Sequence, residues 1–557
     1  MRHPSRFFPL FFCSLLLFTS CFFSVALGDD DPSVAVVSIS SYDNLMEHAA
    51  VIGEIVGFPN AQQMIQLQLM QLTGGKPLAG LDKTKPIVVD IKLGQAEPYG
   101  IACLPVTDLG KLLGALPPTW AETEDVGDGV LLLKVGANPM YAKAGDGWAY
   151  FTDQKEHLAS VPKDPASLVG DLPSKYVFAG RAKVQNISKE KRAEFIGFFE
   201  LMSQFQLAGV AEAGEDIEAE QAMMKASIAQ LSQWMDETED ITVGVGIDHD
   251  QKNVHLDFST TAVAETQTAN SYKRFQKGKS AHAGFMHVDA TIAGAAHMTG
   301  KPAENEIEYI DDQEKMSQKQ MIREIDDADD LSDDQKTTVK EALGKLLNVF
   351  FDTMRSDSFQ AGFAMVLNAK STIVMGAKVS DGDAVEGALK QLIEMASTQM
   401  GVPGPDWEAE NHAFYRIHTW KNIPMTDEDA KDLKDLFGER LEMAIGVNAE
   451  SIYLAMGGNG IDDLKKVIDA SAKASNEVTE PAEAVINLGP IMQFAVEVDE
   501  ENGAMYLPIA GMLQEKDSIK YGIQQIPSGI RARITVEQNI LRAMPLMGMT
   551  FGAGMAE

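Results

Sequence analysis

The chain has 557 residues, of which 45% are hydrophobic, and its 81 acidic residues outnumber 47 basic ones to give a formal net charge of −34. A polyanion of this size is repelled by phosphate backbones and by anionic membrane surfaces, which argues against nucleic acid as a partner. The length leaves room for about two to four hydrophobic cores, and the apolar content is enough to fill them.

Residues 1–28 have the composition of a secretory signal peptide. Two arginines precede an almost wholly apolar stretch at 7–25, and small residues lead to Gly28 before an acidic run. This order predicts export to the periplasm or the medium, with cleavage near Gly28. A transmembrane helix is disfavoured because acidic residues follow at once, whereas a lipid anchor at Cys21 stays open. No later stretch is long and apolar enough to span a bilayer.

The chain repeats itself, and such self-similarity bears on every later interpretation. The motif Val106-Thr107-Asp108, followed after five residues by Gly-Ala-Leu, recurs as Val379-Ser380-Asp381 with the same continuation. A second similarity aligns two sets of three residues: Ala137, Tyr141 and Gly145 with Ala449, Tyr453 and Gly457. We therefore expect two related halves.

Hydrophobic periodicity predicts a finer repeat of one strand, a pair of helices, a hairpin and a closing helix. In the first copy these elements are expected at 34–40, 42–56 with a restart at Asn60, 87–93 with 99–104, and 107–116. In the second they are expected at 176–184, 193–207 and 217–235, 241–247 with 254–259, and 262–275.

The third copy is expected to begin with a strand at 283–292. Its helix pair is split at the acidic run 326–334, where Ser332 and Gln335 form a capping box. Its hairpin and closing helix follow at 362–367 with 372–378, and at 381–395. In the fourth copy the strand is expected at 484–488 and the helix pair up to 498 and at 504–513. The hairpin is expected within 518–536 and the closing helix from 537. Extra strands follow the first copy at 130–135, 140–144 and 148–152, and the third at 414–419, 441–447 and 452–456.

These elements predict an α+β fold that is internally duplicated, with mostly antiparallel sheets and long amphipathic helices packed on one face. The expected organisation is a signal peptide at 1–28, a first α+β half at 30–279 and a second α+β half at 280–557.

Two His-x-Asp steps are the best candidates for chemistry. His255 and Asp257 are two apart on a predicted strand, and His287 and Asp289 repeat the arrangement on another, so each pair points to one face. Imidazole and carboxylate groups converging from two strands could bind a divalent metal. Further ligands could come from three other histidines: His249, His282 and His297.

A simpler interpretation of the first pair is a sheet with one solvated face. Val254, Leu256 and Phe258 would then be buried, and His255 and Asp257 would face water. Two more histidines, His412 and His418, are interpreted as surface groups.

Other motifs fail. No nucleophile elbow, phosphate loop or dinucleotide fingerprint has its required glycines, and the acidic run at 326–334 lacks the glycine and glutamate of a calcium loop. Cys103 stands alone once the signal peptide is removed, so no intrachain disulfide is expected. No catalytic or cofactor-binding residue is assigned.

A helix face rich in bulky apolar side chains suggests either an ordinary core or a pocket for an acyl chain. Its residues are Phe195, Phe198, Phe199, Met202, Phe205, Met223 and Met224.

Two passages resemble a family of secreted bacterial proteins of unknown function. They are the string from Leu72 to Pro86, LTGGKPLAGLDKTKP, and the string from Gly145 to Phe151, GDGWAYF, with the Pro-Lys-Asp-Pro that follows. The resemblance covers about the first 200 residues and implies export from a bacterium with an unusual envelope. It transfers no functional residue.

We therefore expect an exported, non-catalytic binding or structural protein of the cell envelope, whose partner is an unidentified protein or envelope component. A metal-dependent hydrolase using His255, Asp257, His287 and Asp289 is one alternative. A carrier of lipid or another hydrophobic ligand is the other.

Overall fold

The computed structural model describes residues 32–554 except 74, 95–97, 116–121, 136–137, 213–216, 329–330, 402–403, 425–433, 435, 439, 499–502 and 515–516. The signal-peptide prediction therefore lies outside the described residues. The chain divides into two compact units, one of residues up to 50 with 60–188, the other of 51–59 with 189–557. The predicted α+β class is confirmed. No helix in the described ranges is long and apolar enough to cross a bilayer.

The first unit is built on an antiparallel sheet. Its strands are β1 Ser33–Ile39, β2 Ile87–Leu93, β3 Pro98–Pro105, β4 Thr123–Asp125, β5 Val130–Val135, β6 Asn138–Gly145, β7 Trp148–Thr152 and β8 Phe178–Lys183. Its helices are α1 Tyr42–Ile55, of which residues 51–55 are counted with the second unit, α2 Ala61–Leu72, α3 Leu109–Ala115, α4 Pro165–Val169 and α5 Leu172–Lys175. The pairings give the order β8-β1-β2-β3-β7-β6-β5-β4.

The second unit contains the longer helices. These are α6 Lys189–Glu212, α7 Ile217–Glu237, α8 Gln267–Tyr272, α9 Glu304–Asp326, α10 Asp333–Arg355, α11 Gly382–Met400, α12 Gly460–Ala474, α13 Leu488–Val498, α14 Gly503–Ala510 and α15 Gln538–Gly554. The predicted capping box starts α10, where the Gln335 N–H donates to Ser332 Oγ and the Ser332 N–H donates to Gln335 Oε1.

The strands of the second unit also pair antiparallel. They are β9 Thr238–Asp248, β10 Asn253–Ala262, β11 Gly278–Lys279, β12 Ile292–Thr299, β13 Ser358–Val366, β14 Thr372–Lys378, β15 Asp406–His412, β16 Tyr415–Pro424, β17 Arg440–Asn448, β18 Ser451–Gly457, β19 Val478–Thr479, β20 Ala482–Asn487, β21 Ser518–Ile526 and β22 Gly529–Val536. The order is β9-β10-β22-β21-β20-β12-β13-β14-β18-β17-β16-β15, and β11 pairs separately with β19.

Part of this order reproduces that of the first unit. In the second unit the strands lie in the order β20-β12-β13-β14-β18. In the first unit the order is β8-β1-β2-β3-β7, so the two orders match strand for strand. The repeated motif also occupies the same place in both. Asp108 Oδ1 accepts the N–H of Lys111 at the start of α3, and Asp381 Oδ1 accepts that of Ala384 at the start of α11.

The second sequence similarity aligned the wrong strands. Tyr141 lies on β6, whereas Tyr453 lies on β18, whose counterpart in the strand order is β7. There Tyr150 pairs with Cys103 as Tyr453 pairs with Gly376, and both tyrosines are buried. Tyrosine recurs on the adjacent strands β6 and β7, which made the shifted alignment plausible.

The predicted strand at 283–292 was also wrong. A 3-10 turn, Ala283–His287, precedes β12, which begins only at Ile292. Gly284 in this turn lies so close to α12 that a Cβ there would be 2.0 Å from the Ser471 nitrogen. Tertiary packing against α12 therefore sets the local conformation.

The turn supplies a residue to the core of the second unit. This core lies on one face of the sheet, which we call the inner face. Phe285 is fully buried there with Ala364, Val374 and the apolar side of α12, which includes Leu464 and Ile468. Glycines make room for its ring, because a Cβ on Gly362 would lie 2.1 Å from a Phe285 ring atom.

Substituting Gly362→Ala is expected to lower the free energy of unfolding by about 1–3 kcal/mol, since a buried ring must shift. The matched control is Gly294→Ala on the neighbouring strand, where the added carbon would lie 3.5 Å from Ala484 in ordinary contact. Urea unfolding of both variants measures the difference. Equal urea midpoints for the two variants would show that the Phe285 ring does not restrict an added side chain at Gly362.

Candidate functional site

A buried ion pair joins β10 to β22. Asp257 and Arg533 are directly opposite each other in the ladder. Arg533 Nε donates to Asp257 Oδ1 at 2.6 Å and Nη2 to Oδ2 at 2.7 Å, while Nη1 of Arg531 lies 3.7 Å from Oδ2. Asp257 is only 1% exposed. A bidentate guanidinium satisfies a buried carboxylate in this way, so both oxygens are already engaged.

The solvated-face interpretation of β10 was wrong. Asp257 is buried, whereas Leu256, which was expected in the core, is 38% exposed. The alternation along the strand separated the two faces correctly. The prediction that the face of Leu256 is the buried one was wrong. The cause lies far along the chain, because the arginines that cover Asp257 come from β22.

The other predicted metal ligands lie elsewhere in the second unit. His287 ends the 3-10 turn and Asp289 follows it, and both are exposed. Nε2 of His287 lies 3.0 Å from a carboxylate oxygen of Glu477. Among the described residues, no three or more His, Cys, Asp or Glu side chains are grouped so as to hold a metal ion.

The remaining candidate histidines are dispersed as well. His249 lies in the turn between β9 and β10, and His297 is buried on β12. Burial, with the nearby Arg533 guanidinium, lowers the pKa of His255, and burial lowers that of His297.

His418 was interpreted as a surface group, and this was wrong. It is 1% exposed on β16, where its Nδ1 accepts the Glu408 N–H at 2.9 Å and its Nε2 lies 3.1 Å from Glu386. Burial would raise the pKa of Glu386, but hydrogen bonds from Lys390 and Arg416 hold it below its usual value. The Glu386 carboxylate is therefore charged and paired with Lys390 and Arg416, both of which are partly exposed. His412 is partly exposed and lies 2.8 Å from Asp469.

His282 is a different kind of buried histidine. Its ring is fully buried and stacks with Tyr453 and Phe285, at centroid distances of 5.1 and 6.3 Å. Neither ring nitrogen has a hydrogen-bond partner. Burial lowers the pKa of His282 to about 4, so the ring is neutral near pH 7.

The face of the sheet opposite the inner face, which we call the open face, is apolar over a long distance. Paired residues share a face, so the ladder defines one continuous row across eight strands. From β9 to β14 this row is Val245, Leu256, Ile534, Tyr521, Ala484, Gly294, Phe363 and Met375. A parallel row carries Ile247, Val254, Val536, Ile519, Ile486, Ile292, Met365 and Ile373.

Two groups of helices cover parts of the open face. Helices α13 to α15 pack on Ile519 and Val536 in one buried cluster, and α10 with α11 packs on Ile445 and Ile452 in another. The first row, from Val245 to Met375, belongs to none of the buried cores of the described residues. Met375, for example, keeps 48% of its surface exposed.

The sheet of the first unit has the same asymmetry. Val36 and Val88 are fully buried on one face, while Val37 and Val89 on the other are only partly buried. At one end of that second face, Phe178 on β8 is 49% exposed.

The apolar helix stripe is not ordinary core. On α6, Phe198, Met202 and Phe205 are exposed, the last by 68%, while Phe195 packs edge-on against Phe199 at 5.0 Å. The side chain of Met223 lies outside the described residues.

Comparison with known proteins adds no functional assignment. No family model, no curated protein and no solved structure matches the chain.

Removing the Asp257 carboxylate by Asp257→Ala is expected to cost about 2–4 kcal/mol, because two arginines keep their charge beside an apolar gap. Exposed Asp289→Ala is the control and should change stability by less than about 0.5 kcal/mol. Urea unfolding measures both. The double variant Asp257→Leu with Arg533→Leu should recover part of the loss, and a loss that persists in full would refute the pairing as the cause.

The His282 ring also predicts a dependence of stability on pH. Its folded pKa of about 4 lies below the ordinary value of 6.5. Below pH 6.5 the unfolded chain takes up a proton on this ring while the folded protein does not. The free energy of unfolding is therefore unaffected by His282 above pH 6.5 and falls by about 3 kcal/mol as the pH drops towards 4. His282→Phe should flatten this part of the curve, measured by urea unfolding at several pH values. Exposed His287→Phe should keep the wild-type slope, and an unchanged slope in His282→Phe would contradict the assignment.

Proposed function

We propose that this protein is an exported, non-catalytic binding protein that carries a hydrophobic ligand with an aliphatic chain on the open face. The observation that supports this most directly is the row from Val245 to Met375, which is apolar throughout and incompletely covered. Exposed apolar patches of this extent on soluble proteins mark interaction surfaces.

The dimensions and chemistry of the row favour an extended chain. Eight strands at a spacing of ~4.8 Å give a width of about 34 Å. Gly294 and Ala484 leave a shallow path at its centre, and Phe363 with Met375 provides bulky, adaptable walls. Each buried methylene of such a ligand contributes about 0.8 kcal/mol, so a long chain binds without any ionic contact.

The partial cover by helices favours a ligand over a second protein. Helices α13 to α15 pack on β21 and β22 beside the row, and α10 with α11 packs on β17 and β18 beyond it, so a flat docking surface is interrupted while a narrow chain is accommodated. The formal charge of −34 keeps such a carrier soluble. We therefore commit to an aliphatic chain, and a bound protein is an outcome that the test below can return.

The metal-dependent hydrolase has less support. Both oxygens of Asp257 accept from Arg533, and His287 pairs with Glu477 away from β10. Export to the periplasm or medium remains part of the proposal and rests on residues 1–28.

The purified mature protein is expected to raise the fluorescence of N-phenyl-1-naphthylamine, an uncharged apolar probe, as the probe enters a water-poor site. Met375→Lys and Leu256→Lys place a cation on the open face at half-exposed positions that still allow folding. Each should weaken probe binding about tenfold or more, which corresponds to ~1.4 kcal/mol.

The matched control is Phe414→Lys, which replaces an equally apolar and fully exposed side chain in the turn between β15 and β16. It should leave probe binding unchanged. Native mass spectrometry after gentle extraction should also show co-purified lipid. The proposal would be overturned if all three variants bound the probe with the same affinity. It would also be overturned if a protein co-purified in place of lipid.

A further inference from the structure

Helix α6 carries a stripe of exposed apolar side chains, which we call the outer stripe. Its residues follow the spacing i, i+3, i+4 and i+7, which places them within an arc of about 100° on one side of the helix. They are Phe198, Leu201, Met202 and Phe205, and they are 42% to 68% exposed. Four bulky apolar side chains therefore face water along two turns of one helix.

The outer stripe is separate from the side of α6 that packs on α7. Arg192 is buried on that side and forms an ion pair with Asp236 of α7 at 3.3 Å. Ile196 and Ser203 follow Arg192 at helical spacing and are partly buried. The outer stripe points away from this side, so packing within the helix pair does not explain it.

The fold does not require apolar residues at this place. The second and third copies of the repeat share the order strand, two helices, hairpin and helix, and the first helix of the pair is α6 in one and α9 in the other. On α9 a row of exposed residues at helical spacing is charged: Glu308, Asp312, Lys315 and Lys319. An interaction surface specific to α6 accounts for this difference.

The outer stripe is too small for a stable dimer of this chain. A fully exposed side chain of this size offers about 200 Å², so the four together expose about 400 Å². A stable protein–protein interface buries about 800 Å² on each partner. Two copies of a chain with a formal charge of −34 also repel each other. A second copy is therefore disfavoured as the occupant.

The chemistry of the outer stripe favours a lipid surface over another protein. Protein interfaces have about one hydrogen bond per 100–200 Å², and their strongest contacts come from Trp, Tyr and Arg. The four side chains of the stripe contain no N–H or O–H donor and no oxygen acceptor. Such side chains need none in a bilayer, because acyl chains offer only apolar contact.

The charges that border the outer stripe favour a bilayer without net charge. Glu194 lies one turn before Phe198, and its carboxylate is 3.0 Å from Lys191 Nζ. This pair is neutral in sum, so it is compatible with the phosphate and the ammonium of a zwitterionic headgroup. The rest of the chain would be repelled by an anionic surface.

We propose that the outer stripe docks the protein on the surface of a zwitterionic lipid bilayer. Helix α6 lies along the membrane plane, and its four apolar side chains enter the boundary between headgroups and acyl chains. This docking does not depend on the aliphatic ligand, although a carrier of such a ligand would collect or release it at a membrane.

Co-sedimentation of the mature protein with phosphatidylcholine vesicles tests the docking. The protein should partition onto these vesicles, and less so when anionic phosphatidylglycerol replaces part of the lipid. Phe198→Gln combined with Phe205→Gln should weaken the partition about tenfold or more, because apolar area is lost and no charge is added. The matched control is Ile322→Gln at an exposed position of α9, which should partition as the unsubstituted protein does.

A second measurement reports on the outer stripe directly. Cys103 is fully buried, so a nitrobenzoxadiazole label attaches selectively to the thiol introduced by Phe205→Cys. On phosphatidylcholine vesicles its emission should gain intensity and shift to shorter wavelength, as the label leaves water. The same label at Ile322→Cys should show no change.

The proposal would be overturned if the protein did not partition onto phosphatidylcholine vesicles, if all variants partitioned equally, or if docking required the anionic lipid. Self-association that the double variant alone loses would assign the stripe to a second copy and also overturn it. Met375→Lys on the open face should still partition, and the double variant should still bind N-phenyl-1-naphthylamine. The two proposals therefore fail independently.

Discussion

The antiparallel ladder between β10 and β22 is the constraint on which the second unit depends. It connects the hairpin of β9 and β10 to the hairpin of β21 and β22, although the paired residues Asp257 and Arg533 lie far apart in the sequence. Their ion pair fixes the register, because a slip by one residue would separate the two charges and turn Asp257 towards the open face. The ladder therefore decides which side chains face each way across the sheet.

That choice gives the two faces different roles. Near β13 and β14 the inner face is closed by Phe285 and α12, and near β22 it carries the buried ion pair of Asp257 and Arg533. The open face keeps an apolar row that, among the described residues, belongs to neither of the helix-covered clusters on that face. The apolar row and the buried ion pair thus belong to opposite faces of one sheet, since side chains alternate between its faces.

Much of the local structure was predictable because its causes are local. The capping box of Ser332 and Gln335 starts α10, Asp381 caps α11, and Asp146-Gly147 forms the tight turn between β6 and β7 with positive φ at both residues. The candidate site was less predictable. Burial of His418 depends on Glu386 of α11, and the turn at 283–292 depends on α12, neither of which is a sequence neighbour.

The sequence by itself determined the repeated motif of Val106 to Asp108 and Val379 to Asp381, the composition of residues 1–28, the large negative charge and the two-residue alternation of the strands. Only the tertiary structure decided that Asp257 is buried while Leu256 is exposed, and that His287 lies against Glu477. The reason is physical: alternation separates two faces of a strand, but burial is settled by whichever distant segment packs on one of them.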